Sequence, residues 1–215
     1  MSQIDINAIV SKANKLLGLL KRTCPLLLNV AVRRTLYLSL VKSQLCYGTQ
    51  VWSPSHSYLQ AKIEHMQRRA TRWILRSRIG EMSYKERLIR LDLLPLVYDR
   101  ELKDITFFYK CLYGQIDLNV HGFVSFVTHG RTRLSNSFNL KTPICKTSAF
   151  QASYFNRIVK LWNFICKSVP DSSFSSIDVF NNFLKQTLTT LLCTTFDVEC
   201  PCTWSLVRSC ACNHS

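Results

Sequence analysis

From Leu59 onward, the apolar residues Ile63, Met66, Ala70 and the pair Trp73 and Ile74 return at alternating four- and three-residue intervals. That spacing gathers side chains on one side of an α-helix, whereas a strand would send every second residue to the opposite face. Residues 57–76 are therefore predicted to be helical, with this stripe turned toward a core. The residues between the stripe carry as much information. His65, Arg68, Arg69, Arg72 and Arg76 fall on roughly the opposite side, and Glu64 is the sole acid of the segment. A solvated helix face ordinarily mixes both signs through Glu-to-Lys pairs one turn apart. This one does not, which leaves two readings: the face meets phosphates, or it is an ordinary wet surface.

Further helices follow from the same spacing. Residues 4–21 place Ile6, Ile9, Val10, Ala13, Leu16, Leu17 and Leu20 at helical intervals before Pro25 stops the run. Residues 30–45 are predicted to turn Leu36, Leu40 and Val41 inward and Arg33, Arg34 and Lys42 outward. Gly48 and Ser53-Pro54 then break the pattern, and Tyr47 and Trp52 either wedge this corner or stack on bases. Ser83-Tyr-Lys-Glu86 is a capping box opening a short helix through Leu91. Pro95 suits the first turn of a long helix over residues 96–113, closed by Gly114. From residue 120 to 149, Gly, Ser, Thr and Asn rise, helical spacing vanishes and Arg131-Thr-Arg133 sits in a polar turn, so extended or irregular chain with one short β-hairpin is expected. Helix returns over residues 152–167 (Phe155, Ile158, Val159, Trp162, Ile165, Cys166) and over 176–192, where Ser176 or Asp178 would cap. The expected fold class is mainly α. A small basic helical bundle fills residues 1–119, an irregular or short β-hairpin stretch and two further helices fill 120–192, and a Cys-rich tail fills 193–215.

Charge narrows the function classes. The chain carries 28 Lys+Arg against 13 Asp+Glu, a net charge of +15. Residues 12–110 hold 19 of those basic residues against 7 acidic ones, so +12 of the excess lies in this half. Self-repulsion of that size favours a polyanionic partner over general solubility. No segment approaches the ~18–20 apolar residues that span a bilayer. Asp5, Lys12 and Lys15 interrupt the N-terminus, which predicts no signal peptide and an intracellular chain, nuclear or cytoplasmic, with no membrane partner. Reduced cysteines follow. Cys24, Cys46, Cys111, Cys145 and Cys166 stand singly and read as small buried hydrophobes. The tail Cys193, Cys200-Pro-Cys202, Cys210-Ala-Cys212 and His214 is the one ligand-like cluster. Cys200, Cys202, Cys210, Cys212 and His214 could supply a tetrahedral zinc, although Cys-x-Cys is tighter than the usual two-to-four-residue spacing. Otherwise the tail holds no metal, and no other cofactor is expected.

Catalysis by this chain alone is not expected. Polymerase chemistry needs two carboxylates clasping a pair of divalent ions, and the 13 acids include no adjacent pair. Gly-rich phosphate loops, nucleophile elbows and metalloprotease motifs are missing too. His56, His121 and His129 sit singly in expected loops and read as surface residues.

The order of residues over about 6–190 resembles the C-terminal region of reverse transcriptases from LINE-type, jockey-like non-LTR retrotransposons. It begins with Lys12-Ala-Asn-Lys15-Leu-Leu-Gly18-Leu-Leu-Lys21-Arg22, Leu40-Val-Lys42-Ser-Gln-Leu45, Tyr47 and Val51-Trp52-Ser-Pro54. Ile63-Glu64, Gln67-Arg68-Arg69-Ala70-Thr71-Arg72, Leu91 with Leu93-Leu-Pro95, Arg100, Tyr109-Lys110 and Gly114 follow. Arg131-Thr-Arg133, Phe155-Asn-Arg157, Leu161-Trp162-Asn163, Val169-Pro170 and Phe180 with Phe183-Leu184-Lys185 complete it. The resemblance implies thumb and post-thumb segments, the thumb being a small helical bundle that grips the template–primer duplex by its backbone. Fingers, palm and the metal-binding Asp pair of that RNA-directed DNA polymerase family have no counterpart here. A truncated copy or a partial gene model is the expectation, with part of the bundle packed in the parent protein against a palm. Arg33, Arg34, Lys42, Arg68, Arg69, Arg72 and Arg76 would then contact the phosphates of an RNA or RNA–DNA duplex. The alternatives are a protein-interaction or structural remnant, and zinc-dependent nucleic-acid binding through the tail.

Overall fold

The computed structural model describes residues 6–54, 56–127, 139–167 and 176–196. Helix α1 (Ile6–Thr23) buries Val10, Ala13, Leu17 and Leu20, one side of the expected stripe. Asn29 caps the next helix by accepting from the Ala31 and Val32 amides. That helix begins as α2 (Val30–Leu36), passes without interruption through a π-helical segment (Tyr37–Lys42), and ends as α3 (Ser43–Leu45). The π turn explains a reversal. Arg33, Tyr37, Val41 and Leu45 are all buried, a strict four-residue spacing. In a regular helix of 3.6 residues per turn, such a row would drift about 40° at each step. The wider π turn absorbs the drift. Arg33, expected outside, is therefore 3% exposed, and Leu40, expected inside, is 42% exposed.

Gly48, with φ of +64°, turns the chain into the short helix α4 (Thr49–Trp52). Helix α5 (Ser57–Leu75) buries Ile63, Met66, Ala70 and Ile74 as expected, together with Glu64, Gln67 and Thr71. In α6 (Tyr84–Arg90) both bonds of the capping box form: Glu86 N–H donates to Ser83 Oγ (3.2 Å) and Ser83 N–H donates to Glu86 Oε2 (2.7 Å).

Helix α7 (Leu96–Leu112) is buried on nearly every side and includes Arg100 and Asp104 among its buried residues. A helix enclosed all round lies in the middle of a domain. Here α7 packs on α4 and α5 from the basic half, and on two later helices. Gly114, with φ of +68°, ends it at the expected place. After a 3-10 turn (Val120–Gly122) and the short α8 (Ser148–Gln151) come α9 (Tyr154–Cys166) and α10 (Ile177–Thr194), the latter capped by Ser176. Trp162 of α9 meets Phe108 edge-on with ring centroids 5.1 Å apart, and Phe180 of α10 stacks on Tyr109 at 4.8 Å. One hydrophobic cluster thus runs from Val10 to Phe196.

The fold is mainly helical, and the expected β-hairpin is not found. A single antiparallel bridge joins Phe126 to Leu140, and no strand forms among the described residues. The bridge rests on two bonds, Val127 N–H to the Asn139 carbonyl and Lys141 N–H to the Ser125 carbonyl, and on its other edge Leu140 turns both peptide groups to α9. Its N–H donates to Asn163 Oδ1, and its carbonyl accepts from Asn163 Nδ2, each at 2.8 Å. Arg131 and Arg133, expected in a polar turn, lie outside the described residues.

Candidate nucleic-acid interface

Along α5 the basic face keeps one sign because its acid is turned away from it. Glu64 is 1% exposed and accepts from the Tyr84 hydroxyl and, at 3.2 Å, from the Leu96 amide. Burial pushes its carboxyl above the ordinary range, opposed by the Tyr84 and Leu96 hydrogen bonds and by the charges of Arg100 and Arg68. On the outside, Arg69 and Arg76 are exposed, and Arg68 and Arg72 are half-buried. Their contacts leave the positive charge in place. Arg69 donates to Asn14 Oδ1 of α1 (2.6 Å), Lys62 donates to Asn7, and Arg68 lies 5.3 Å from the centre of the Tyr84 ring.

Where α5 ends, this face runs into a cleft of about 550 Å³ lined by Lys21, Pro25, Arg33, Arg69, Arg72, Trp73, Arg76 and Ser77. Five of the eight lining residues are cationic and none is acidic. Arg33 forms part of the wall. Its Nη1 donates to the Trp73 carbonyl at 2.6 Å, and its guanidinium lies over the indole at 5.2 Å. A cation at the negative end of a helix is favourable there. Two polar atoms of the wall are buried without a partner, Arg33 Nε and Ser77 Oγ. Each such group costs about 1–3 kcal/mol.

Crowding of like charge shows in the titrating groups. Lys21 is held below its ordinary value by burial, then by Arg69 and Arg72. Arg33 is lowered by burial and by Arg76. Beside the cleft, His65 is lowered by burial, then by Arg69, Arg68 and Arg72. A bound anion would offset the like-charge part of each shift, although burial is the largest cause of all three.

Arg76 carries the cleft's backbone strain, with φ of +54° and ψ of +26°. This left-handed conformation suits Gly and disfavours a residue with a Cβ by about 1–2 kcal/mol. Arg76→Gly should therefore raise stability by about 1 kcal/mol while weakening the hold on a polyanion. Thermal melts and binding titrations on one preparation check both directions.

The cleft gathers four of the seven cations expected from the sequence: Arg33, Arg69, Arg72 and Arg76. Arg68 stays on the adjoining face. Arg34 and Lys42 lie elsewhere and hold the fold together. Arg34 donates to the carbonyls of Leu91 (2.6 Å) and Asp92 (3.0 Å), and Lys42 pairs with Asp99 at 2.5 Å. Burial raises the Asp99 carboxyl, and Lys42 is the foremost opposing influence. Lys21 and Ser77 are cleft residues that sequence reading missed. Their only local signal is that Lys21 sits in the last turn of α1 and Ser77 just past the end of α5. At the corner, Trp52 is the wedge, 9% exposed and donating to the Tyr47 carbonyl at 2.5 Å, whereas Tyr47 is 82% exposed.

Cys46, Cys111 and Cys166 are buried, whereas Cys24 and Cys145 are half-buried. Among the described residues no group of three or more His, Cys, Asp or Glu is placed to hold a metal ion. Cys200, Cys202, Cys210, Cys212 and His214 lie outside the described residues. No described helix is long and apolar enough to cross a membrane. Comparison with protein-family models, curated proteins and solved structures finds no match to this chain.

Proposed function

We propose that this chain is a non-catalytic grip for the backbone of RNA or an RNA–DNA duplex. The role matches what its resemblance to the thumb and post-thumb region of LINE-type reverse transcriptases implies. The observation that carries the reading is the inward turn of Glu64. It leaves a single-signed α5 face running into a cleft with five cations and no carboxylate.

Arginine suits the task because its planar fork meets two phosphate oxygens at once and stays charged at any physiological pH. Binding would neutralise phosphates and release their counterions, so affinity should be tolerant of sequence and steep in salt. The exposed or half-buried positions of Arg69, Arg72 and Arg76 leave their charge within reach of a strand, with no unfolding of the core.

Filter binding of a labelled RNA–DNA duplex across a salt series tests this. The logarithm of affinity should fall against the logarithm of salt with a slope of about −0.9 per phosphate contact. Changing Arg69 and Arg72 together to Ala should make that slope shallower by about 2, with similar losses on unrelated sequences. A flat salt response, or a double variant that binds as the parent does, would reject the grip.

A further inference from the structure

We infer that the cleft at the end of α5 is a discrete seat for one phosphate group, bound through Arg33, Arg72, Arg76, Lys21 and Ser77. This deepens the backbone-grip reading and rests on it.

A general electrostatic surface needs only one helix face. The cleft is built from three separated parts of the chain: Lys21 at the end of α1, Arg33 on α2, and Arg69, Arg72, Arg76 and Ser77 at the end of α5. Folding has brought like charges together, with no carboxylate lining the cleft to balance them. At about 550 Å³ the cleft is far larger than one phosphate group and leaves room for the strand that carries it.

The second observation is independent of charge. Arg33 is 3% exposed, and its Nε finds no acceptor in the protein; the hydroxyl of half-buried Ser77 also finds none. Both residues line the cleft, and each keeps one unpartnered donor just beneath its surface, Arg33 Nε beside the Nη1 that donates to Trp73, and Ser77 Oγ. Phosphate is rich in acceptor oxygens and has no backbone or ring to exclude it. The C-terminal end of a helix ordinarily repels anions. Here the Trp73 carbonyl accepts from Arg33, and the Arg72 carbonyl accepts from the Ser77 amide at 3.2 Å. That repulsion is therefore reduced, and the side chains set the sign of the site.

The phosphate group could belong to an internal phosphodiester or to a strand terminus, and the experiment separates the two. Full-length chain is melted in sodium phosphate and in sodium chloride at equal ionic strength, alongside Ser77→Asp and Ser77→Ala. Ser77→Asp places a carboxylate in the seat without altering the α5 arginines, and Ser77→Ala removes the hydroxyl with little risk to folding. Phosphate is expected to raise the melting temperature of the parent above its value in chloride. Ser77→Ala should reduce this gain and Ser77→Asp should abolish it. No gain over chloride, or a gain undiminished in Ser77→Asp, would overturn the seat.

Duplex binding is then measured with and without a 5′-phosphate. Ser77→Asp should weaken binding about tenfold and make the salt slope shallower by about 0.9, one phosphate contact. Equal losses on both duplexes assign the seat to an internal phosphodiester, and a loss confined to the phosphorylated duplex assigns it to a terminus. Steep duplex binding that Ser77→Asp leaves unchanged would remove the seat and leave the grip standing. Absence of duplex binding by every form would overturn the grip, and with it the assignment of the seat to nucleic acid.

Discussion

Trp162→Ala should destabilise the fold by about 3–5 kcal/mol, the range for truncating a fully enclosed aromatic residue. The indole has no exposed surface and lies 5.1 Å from the Phe108 ring and 6.0 Å from the Phe180 ring. It therefore joins α9 to both α7 and α10, and collapse around the void is restrained from two sides. Because α7 also packs on α5, the loss should reach the basic helices. Urea unfolding followed by far-ultraviolet circular dichroism should show a single transition at lower midpoint. Duplex binding should disappear over the same range of urea. A deficit under about 1 kcal/mol would mean the ring is not enclosed in this way.

Arg157→Ala should cost a comparable amount, about 3–5 kcal/mol, because it strands a buried charge. Arg157 Nη2 donates to Asp104 Oδ2 at 2.8 Å and to the Thr49 carbonyl at 3.2 Å, and Thr49 Oγ1 donates to Asp104 Oδ1 at 2.7 Å. Three helices, α4, α7 and α9, meet at that carboxylate, which is 3% exposed. Burial already raises the Asp104 carboxyl, and Arg157 is the largest opposing influence. Its removal makes the folded state hold the Asp104 proton still more tightly than the unfolded state does. Such a group contributes stability at low pH and loses it as pH rises through the folded-state value. The deficit of Arg157→Ala should accordingly be larger at pH 8 than at pH 5, as paired denaturation curves would show. A deficit independent of pH would separate the effect from Asp104.

Local chemistry made much of this fold readable. The Leu59 stripe, the Ser83–Glu86 box, Gly114 and the Ser176 cap are written within a few residues of where they act, and each forms as expected. What the sequence concealed depends on partners far away in the chain. Tyr37 donates its hydroxyl to Gln67 Oε1 at 2.7 Å, across 30 positions, and Gln67 in turn donates to the Leu94 carbonyl. No periodicity within residues 30–45 announces that contact, so the wider turn it accompanies, and with it the inward Arg33, went unseen. Leu140 is likewise held by a residue remote in sequence, Asn163. For the cleft, Arg69, Arg72 and Arg76 share one helix and were legible as a face. Lys21, Arg33 and Ser77 join them only once α1, α2 and α5 have packed.

The π-helical segment between Arg33 and Leu45 has a bearing on descent. A helix that widens in this way contains one residue more than a regular helix covering the same span. The surplus is what lets Arg33 at one end serve the cleft while Lys42 near the other reaches Asp99. Chains sharing this architecture but with a regular helix there should align with a one-residue gap between these positions. Where that gap occurs, the counterpart of Arg33 should turn outward.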